Sequence, residues 1–107
     1  MKLNKSYENG VLRAEIDGEL DHHAAEIIRK ELDFEIETKR VKKLIFDFKN
    51  VPFMDSSGIG VVVGRYKKME ALGGKTQVVN ICDQVDKILE MSGIKGIIEC
   101  EREAVKR

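Results

Sequence analysis

A hydroxyl set between a carboxylate and a glycine is the first place to look for chemistry, and this chain has one in Asp55-Ser56-Ser57-Gly58. A serine at a strand-to-helix turn has the superficial look of a hydrolase nucleophile. The pattern fails in detail: Gly-x-Ser-x-Gly is absent around Ser56, 107 residues is short for the sheet that supports such a turn, and only His22 and His23 could supply a base. Those histidines are no better as a metal pair, because adjacent residues on a helix point about 100° apart. With Asp21 they read as a polar first turn. Gly58, Gly60 and Gly64 carry neither a Gly-Lys-Ser/Thr ending nor Gly-x-Gly-x-x-Gly spacing, so they form no phosphate-binding loop. They still need a reason, since each glycine costs about 1 kcal/mol in a helix interior relative to Ala. Either the helix packs closely on a sheet, or a partner's backbone approaches its first turn. No catalytic set emerges, and the expectation is a protein without catalysis, cofactor or metal of its own.

The elements that must hold Ser56 in place follow from patterning. Residues 3–7 and 11–17 form short runs around Asn9-Gly10, a pair that tolerates positive φ and predicts an antiparallel hairpin. Asp21 can cap a helix whose apolar residues Ala25, Ile28, Leu32 and Ile36 recur at three and four, with Glu26/Lys30 and Glu35/Lys39 as surface pairs. Residues 44–48 read as a buried strand carrying one charge, Asp47, and Pro52 ends regular pairing. Capping chemistry at residues 55–58 then precedes Ile59, Val62, Val63, Tyr66 and Met69 at helical spacing, and Gly73-Gly74 stops that helix. Three consecutive valines, residues 61–63, pull the other way, toward strand. A strand at 76–80, a short helix opened by Asp83 and Asp86 and closed by Gly93, and a last strand at 97–100 complete the order. The charged tail from 101 to 107 reads as a frayed helix. Alternation after the hairpin implies parallel pairing through right-handed crossovers.

Composition narrows the partners. Apolar residues make up 42% and charged residues 36%, with Lys+Arg and Asp+Glu matched at 19 each. Balanced charge on an apolar background argues against disorder, and it removes the cationic excess that a nucleic-acid binder needs. Cys82 and Cys100 match neither a paired thiol motif nor a zinc site and read as reduced, partly buried thiols. No basic segment followed by an apolar run opens the chain, and no stretch approaches about 18 apolar residues. The expectation is one domain over residues 1–107 in a reducing cytoplasm, away from membranes. The lack of a long apolar surface stripe points to a monomer.

Four motifs carry a family resemblance. Gly18-Glu19-Leu20-Asp21-His22-His23, then Phe53-Met54-Asp55-Ser56-Ser57-Gly58-Ile59-Gly60-Val61, then Gly64-Arg65-Tyr66-Lys67, and finally Met91-Ser92-Gly93 stand in an order and spacing that resemble anti-sigma factor antagonists of the sporulation, sigma-F type. That family is built on the STAS domain, and the resemblance runs from about Leu3 to Cys100. It implies an α/β fold, a STAS-like single domain with a mixed sheet of about five strands, an N-terminal antiparallel hairpin and helices packed mainly on one face. It also implies a partner switch. The unphosphorylated form binds an anti-sigma factor that is also a serine kinase, the kinase phosphorylates Ser56 and binding is lost, and a phosphoserine phosphatase resets the chain. ATP belongs to the kinase.

Residue roles implied in this way are phosphorylation at Ser56 and partner contact at Asp21, Asp55, Ser56, Ser57, Gly58, Ile59, Gly60 and Arg65. Each has a plainer alternative. Ser56 or Ser57 could simply cap the helix, Asp21 could be only a cap, Arg65 and Lys67 could be the solvated side of a helix, and Phe53 and Met54 could face either core or partner. The competing family reading is a STAS interaction module that is not phosphorylated, such as a scaffold or regulatory subunit.

Overall fold

In the computed structural model, which describes residues 1–104, the chain begins with β1 (Lys2–Glu8) and β2 (Val11–Asp17), paired antiparallel from Lys2↔Asp17 to Glu8↔Val11. Asn9 and Gly10 turn the hairpin at φ 51° and 80°, the left-handed pair that matches the twist of the flanking strands. Helix α1 (His22–Thr38) follows, capped by Asp21, and buries Ala25, Ile28, Leu32 and Ile36 as their spacing predicts. Glu35 is buried beside them and is compensated by Lys39 one turn on and by Lys5 of β1 at 3.3 Å.

Strand β3 (Lys43–Asn50) leads into α2 (Ser56–Ala71), and β4 (Lys75–Ile81) into α3 (Asp83–Met91). The three valines of α2 lie in helix because Val61 and Val62 reach the core, so burial overrides their strand preference. Gly73 at φ 77° ends that helix, and the Gly74 N–H donates to the Met69 carbonyl at 2.8 Å. A 3-10 turn, Ile94–Gly96, then precedes β5 (Glu99–Arg102).

The C-terminal reading needs two corrections. The last strand starts at Glu99 rather than 97, because Ile98 is buried while Ile97 leaves the 3-10 turn exposed. Glu101 and Arg102 belong to that strand, not to a frayed helix, and residues 105–107 of the expected helix lie outside the described residues.

Strand order in the sheet is β1-β2-β3-β4-β5, parallel except for the first pair. Each crossover therefore advances one strand in the same direction, and right-handed crossovers of that kind place all three helices on one face. The burial pattern agrees. Leu12, Ala14 and Ile16 of β2, and Leu44, Phe46 and Phe48 of β3, are buried beneath the helices, while Arg13 and Glu15 lie on the opposite face. One buried charge sits on that opposite face: Asp47, bound by Arg13 at 2.8 Å and by Asn80 at 3.0 Å, ties together β2, β3 and β4.

Candidate functional site

The C-terminal ends of β2 and β3 bring two helix starts side by side. The Gly18 N–H donates to the Asn50 carbonyl at 3.0 Å, and an isolated parallel bridge then joins Leu20 to Met54. Within it the Leu20 N–H donates to the Phe53 carbonyl at 3.1 Å and the Asp55 N–H to the Leu20 carbonyl at 3.4 Å. Leu20 and Met54 are both core residues, so the apolar side of this bridge fixes the polar residues that follow each of them. Those residues are Asp21 and Asp55. Asp21 accepts from the Ala24 N–H at 2.9 Å, and Asp55 from the Ser57 N–H at 2.8 Å. Both carboxylates are N-caps, each serving one of the amides a helix start leaves without a partner.

The cap of α2 is thus Asp55, and neither serine holds that position. Ser56 is the first helical residue, exposed, with no side-chain hydrogen bond among the described residues. Ser57 is half-buried and turns toward α1, its Oγ 3.4 Å from Nδ1 of His22. Two consecutive serines therefore differ: one hydroxyl is free in solvent, and the other is engaged between helices.

Below the caps a shallow cleft of about 210 Å³ runs between His22, Ala25, Glu26 and Arg29 of α1 and Ser57, Gly60 and Val61 of α2. Its charges are largely matched, since Arg29 binds Glu26 at 2.8 Å and holds the Glu26 carboxyl below its usual range. Among the described residues no group of three or more His, Cys, Asp or Glu could hold a metal ion. Nor is any described helix long and apolar enough to cross a membrane.

The glycines divide between the two explanations offered for them. A Cβ on Gly58 would meet Met54 Cε at 2.7 Å and Leu20 Cγ at 3.0 Å, so this glycine exists for close packing against the bridge. Gly60 and Gly64 have nothing within 4 Å of such a Cβ, and the packing of this chain gives no reason for either. Ile59 is partly buried against the core, Met54 is inside it, and Phe53 is 41% exposed on the loop before Ser56.

Arg65 is not on the surface. It is 8% exposed, with Nε 2.9 Å from Oδ1 of Asp33 on α1, and burial lowers its pKa against the pull of that carboxylate. The ion pair joins α1 to α2. Lys67 stays exposed. Sequence reasoning missed both the Asp33–Arg65 pair and the approach of His22 to Ser57, because no spacing within the chain encodes contacts that depend on how two helices dock.

With this geometry in hand, the comparisons are specific. Residues 2–105 match the STAS domain family. The anti-sigma F factor antagonist of Paenibacillus polymyxa is 36% identical over 98 residues, covering 92% of this chain and 84% of that protein. The solved structure of the anti-sigma factor antagonist SpoIIAA in its unphosphorylated form aligns with a TM-score of 0.77 at 30% identity, over 97% of this chain and 90% of that one. The Bacillus cell fate determinant SpoIIAA in its phosphorylated form aligns with a TM-score of 0.75 at 31% identity, over 98% and 93%.

Proposed function

Because the chain belongs to the STAS-domain family of anti-sigma factor antagonists, we propose that it is a cytoplasmic, monomeric partner switch whose state is written on Ser56. Unphosphorylated, it binds an anti-sigma factor that is also a serine kinase, and the sigma factor is released. The kinase transfers the γ-phosphoryl group of ATP to Ser56 Oγ, ADP leaves, and the hydroxyl proton passes to a base of the kinase. A phosphoserine phosphatase restores the hydroxyl by hydrolysis. The protein is a regulator and supplies no catalysis, in line with its kinship to anti-sigma factor antagonists.

The observation that carries this reading is the contrast at the start of α2, where Ser56 is exposed and unengaged on a helix whose cap is already provided by Asp55. A hydroxyl there is open to an acceptor site, and modification breaks no bond of the fold. The outward side of α2 runs from Ser56 through Gly60 to Gly64, small residues that allow another backbone close approach. That surface supports partner contact at Ser56 and Gly60, with Asp21 and Asp55 at its edge. Gly58 contributes from below, by seating the helix.

Phosphorylation adds about 1.5 to 2 negative charges at pH 7 next to two carboxylates. If the partner covers this surface, repulsion and desolvation amounting to about 3–4 kcal/mol weaken binding roughly a hundred- to a thousandfold. The test is incubation with the cognate kinase and ATP, locating the phosphate by mass spectrometry. Label on Ser56 alone is expected, and label elsewhere refutes the site. In the same assay Ser56→Ala should keep binding the anti-sigma factor in the presence of ATP while Ser56→Asp binds weakly. Equal affinities would refute the charge mechanism.

A further inference from the structure

The cleft beside Ser56 contains one titratable group that the switch as described leaves without a task. His22 is the first residue of α1, exposed, with Nδ1 3.4 Å from Ser57 Oγ across the interhelical cleft. The other charged groups facing this place are committed. On the α1 side, Asp21 is occupied as a cap, and Glu26 is bound to Arg29, whose second carboxylate neighbour is Asp33 at 4.0 Å. On the α2 side, Asp55 is occupied as the other cap. Arg29 also lies seven residues along α1 from His22, about 10 Å of helix rise away from the caps. His23 is nearer in sequence but points about 100° around the helix from its neighbour. A phosphoryl group on Ser56 thus arrives next to the Asp55 cap, and His22, whose one hydrogen-bond contact is with the neighbouring Ser57, is the cleft-lining side chain placed to answer it with positive charge.

We infer that His22 is the positioning residue for the phosphoryl group on Ser56: its imidazolium draws the dianion toward the mouth of the α1–α2 cleft. The inference rests on the reading of Ser56 as the modified residue. In neutral imidazole one ring nitrogen donates and the other accepts, so Nδ1 can serve the Ser57 hydroxyl in either role. Once protonated, both nitrogens donate, and the side chain becomes a ligand for phosphate oxygens on the residue next to the one it already touches. Charging His22 and ionising the phosphate then favour each other. The contact is therefore strongest in the pH window between the second ionisation of the phosphate and the loss of the imidazolium proton, and it weakens on either side.

The experiment uses the full chain with phosphoserine installed at position 56 during translation, so that it does not depend on any kinase. Proton–carbon NMR of the His22 and His23 rings and phosphorus NMR of the phosphate are followed from about pH 5 to pH 8.5 in modified and unmodified chains. The titration midpoint of His22 is expected to rise by about one pH unit on modification, as an opposite charge within a few ångströms produces, and that of His23 by clearly less. In His22→Gln, which keeps a hydrogen-bonding side chain but cannot charge, the second ionisation of the phosphate should move to higher pH. A His22 midpoint unchanged by the phosphate, equal movement of both histidines, or a phosphate midpoint indifferent to His22→Gln would overturn the inference. Failure of a kinase to label Ser56 would instead overturn the proposed function, leaving these titrations to be judged alone.

Discussion

At the scale of single residues, two glycines two positions apart make opposite predictions. Gly58→Ala places a methyl 2.7 Å from Met54 Cε and 3.0 Å from Leu20 Cγ, inside the bridge that aligns the two caps. A core side chain must shift, and a loss of about 1–3 kcal/mol is expected in urea unfolding. Gly60→Ala meets nothing within 4 Å, so the gain in helix propensity should stabilise the chain by about 0.5–1 kcal/mol. The same methyl stands on the surface proposed for the partner, and affinity for the anti-sigma factor should fall at least tenfold. A Gly60→Ala variant that binds as well as the parent would remove α2 from the interface. The sequence showed that these glycines needed a reason but could not assign one, since packing and partner contact leave the same mark on composition. The burial of Arg65 was illegible for a related reason. Arginine is normally a surface residue, and its place in a motif pointed outward, whereas its burial depends on Asp33 standing opposite it on another helix.

At the scale of elements, the strands and helices were legible wherever a periodic apolar face met a clear terminus. The hairpin had Asn9-Gly10, α1 had Asp21 and four core residues in register, and α2 had Asp55 with Gly73-Gly74. Strand β5 had neither, because four residues give too little alternation and Ile97-Ile98 fits a turn as well as a strand. Asp47 is the charge that a buried strand should not carry alone, and its partners lie on β2 and β4, out of reach of local pattern. Burial works against its ionisation, but the Asn80 amide, the Lys49 N–H and the Arg13 guanidinium outweigh it, so its pKa is lowered. A carboxyl harder to protonate folded than unfolded contributes stability only while ionised. That contribution is complete above the unfolded value near 3.8 and is lost as pH falls through the lower folded value. Asp47→Asn should therefore flatten the loss of stability below about pH 4. Asp47→Ala should cost about 1–3 kcal/mol at neutral pH by stranding Asn80 and Arg13. Identical acid limbs for the parent and Asp47→Asn in chemical denaturation would show that the network carries no pH dependence.

At the scale of the whole molecule, one architectural fact separates the switch from the fold. Sequential parallel strands put every helix on one face, so the core is closed beneath α1 and α2, while their N-terminal caps project past the ends of β2 and β3. Ser56 sits on that projection, and its hydroxyl has no hydrogen-bond partner among the described residues to lose. The two Asp caps bind backbone amides, and a phosphate on the Ser56 side chain breaks neither bond. A phosphate there meets repulsion from Asp21 and Asp55 but also the positive end of α2, each effect worth about 0.3–1 kcal/mol at an exposed site and opposite in sign. The near cancellation predicts that phosphorylation leaves the melting temperature within a few degrees of the unmodified chain while affinity for the anti-sigma factor drops by two orders of magnitude or more. The likeness of this chain to both the phosphorylated and the unphosphorylated solved structures is in keeping with a fold that accepts the group. Calorimetry of the two forms, paired with a binding titration on the same samples, separates the alternatives. A large drop in melting temperature together with lost binding would mean that the modification acts by unfolding the site, and the electrostatic account would give way to an order–disorder switch.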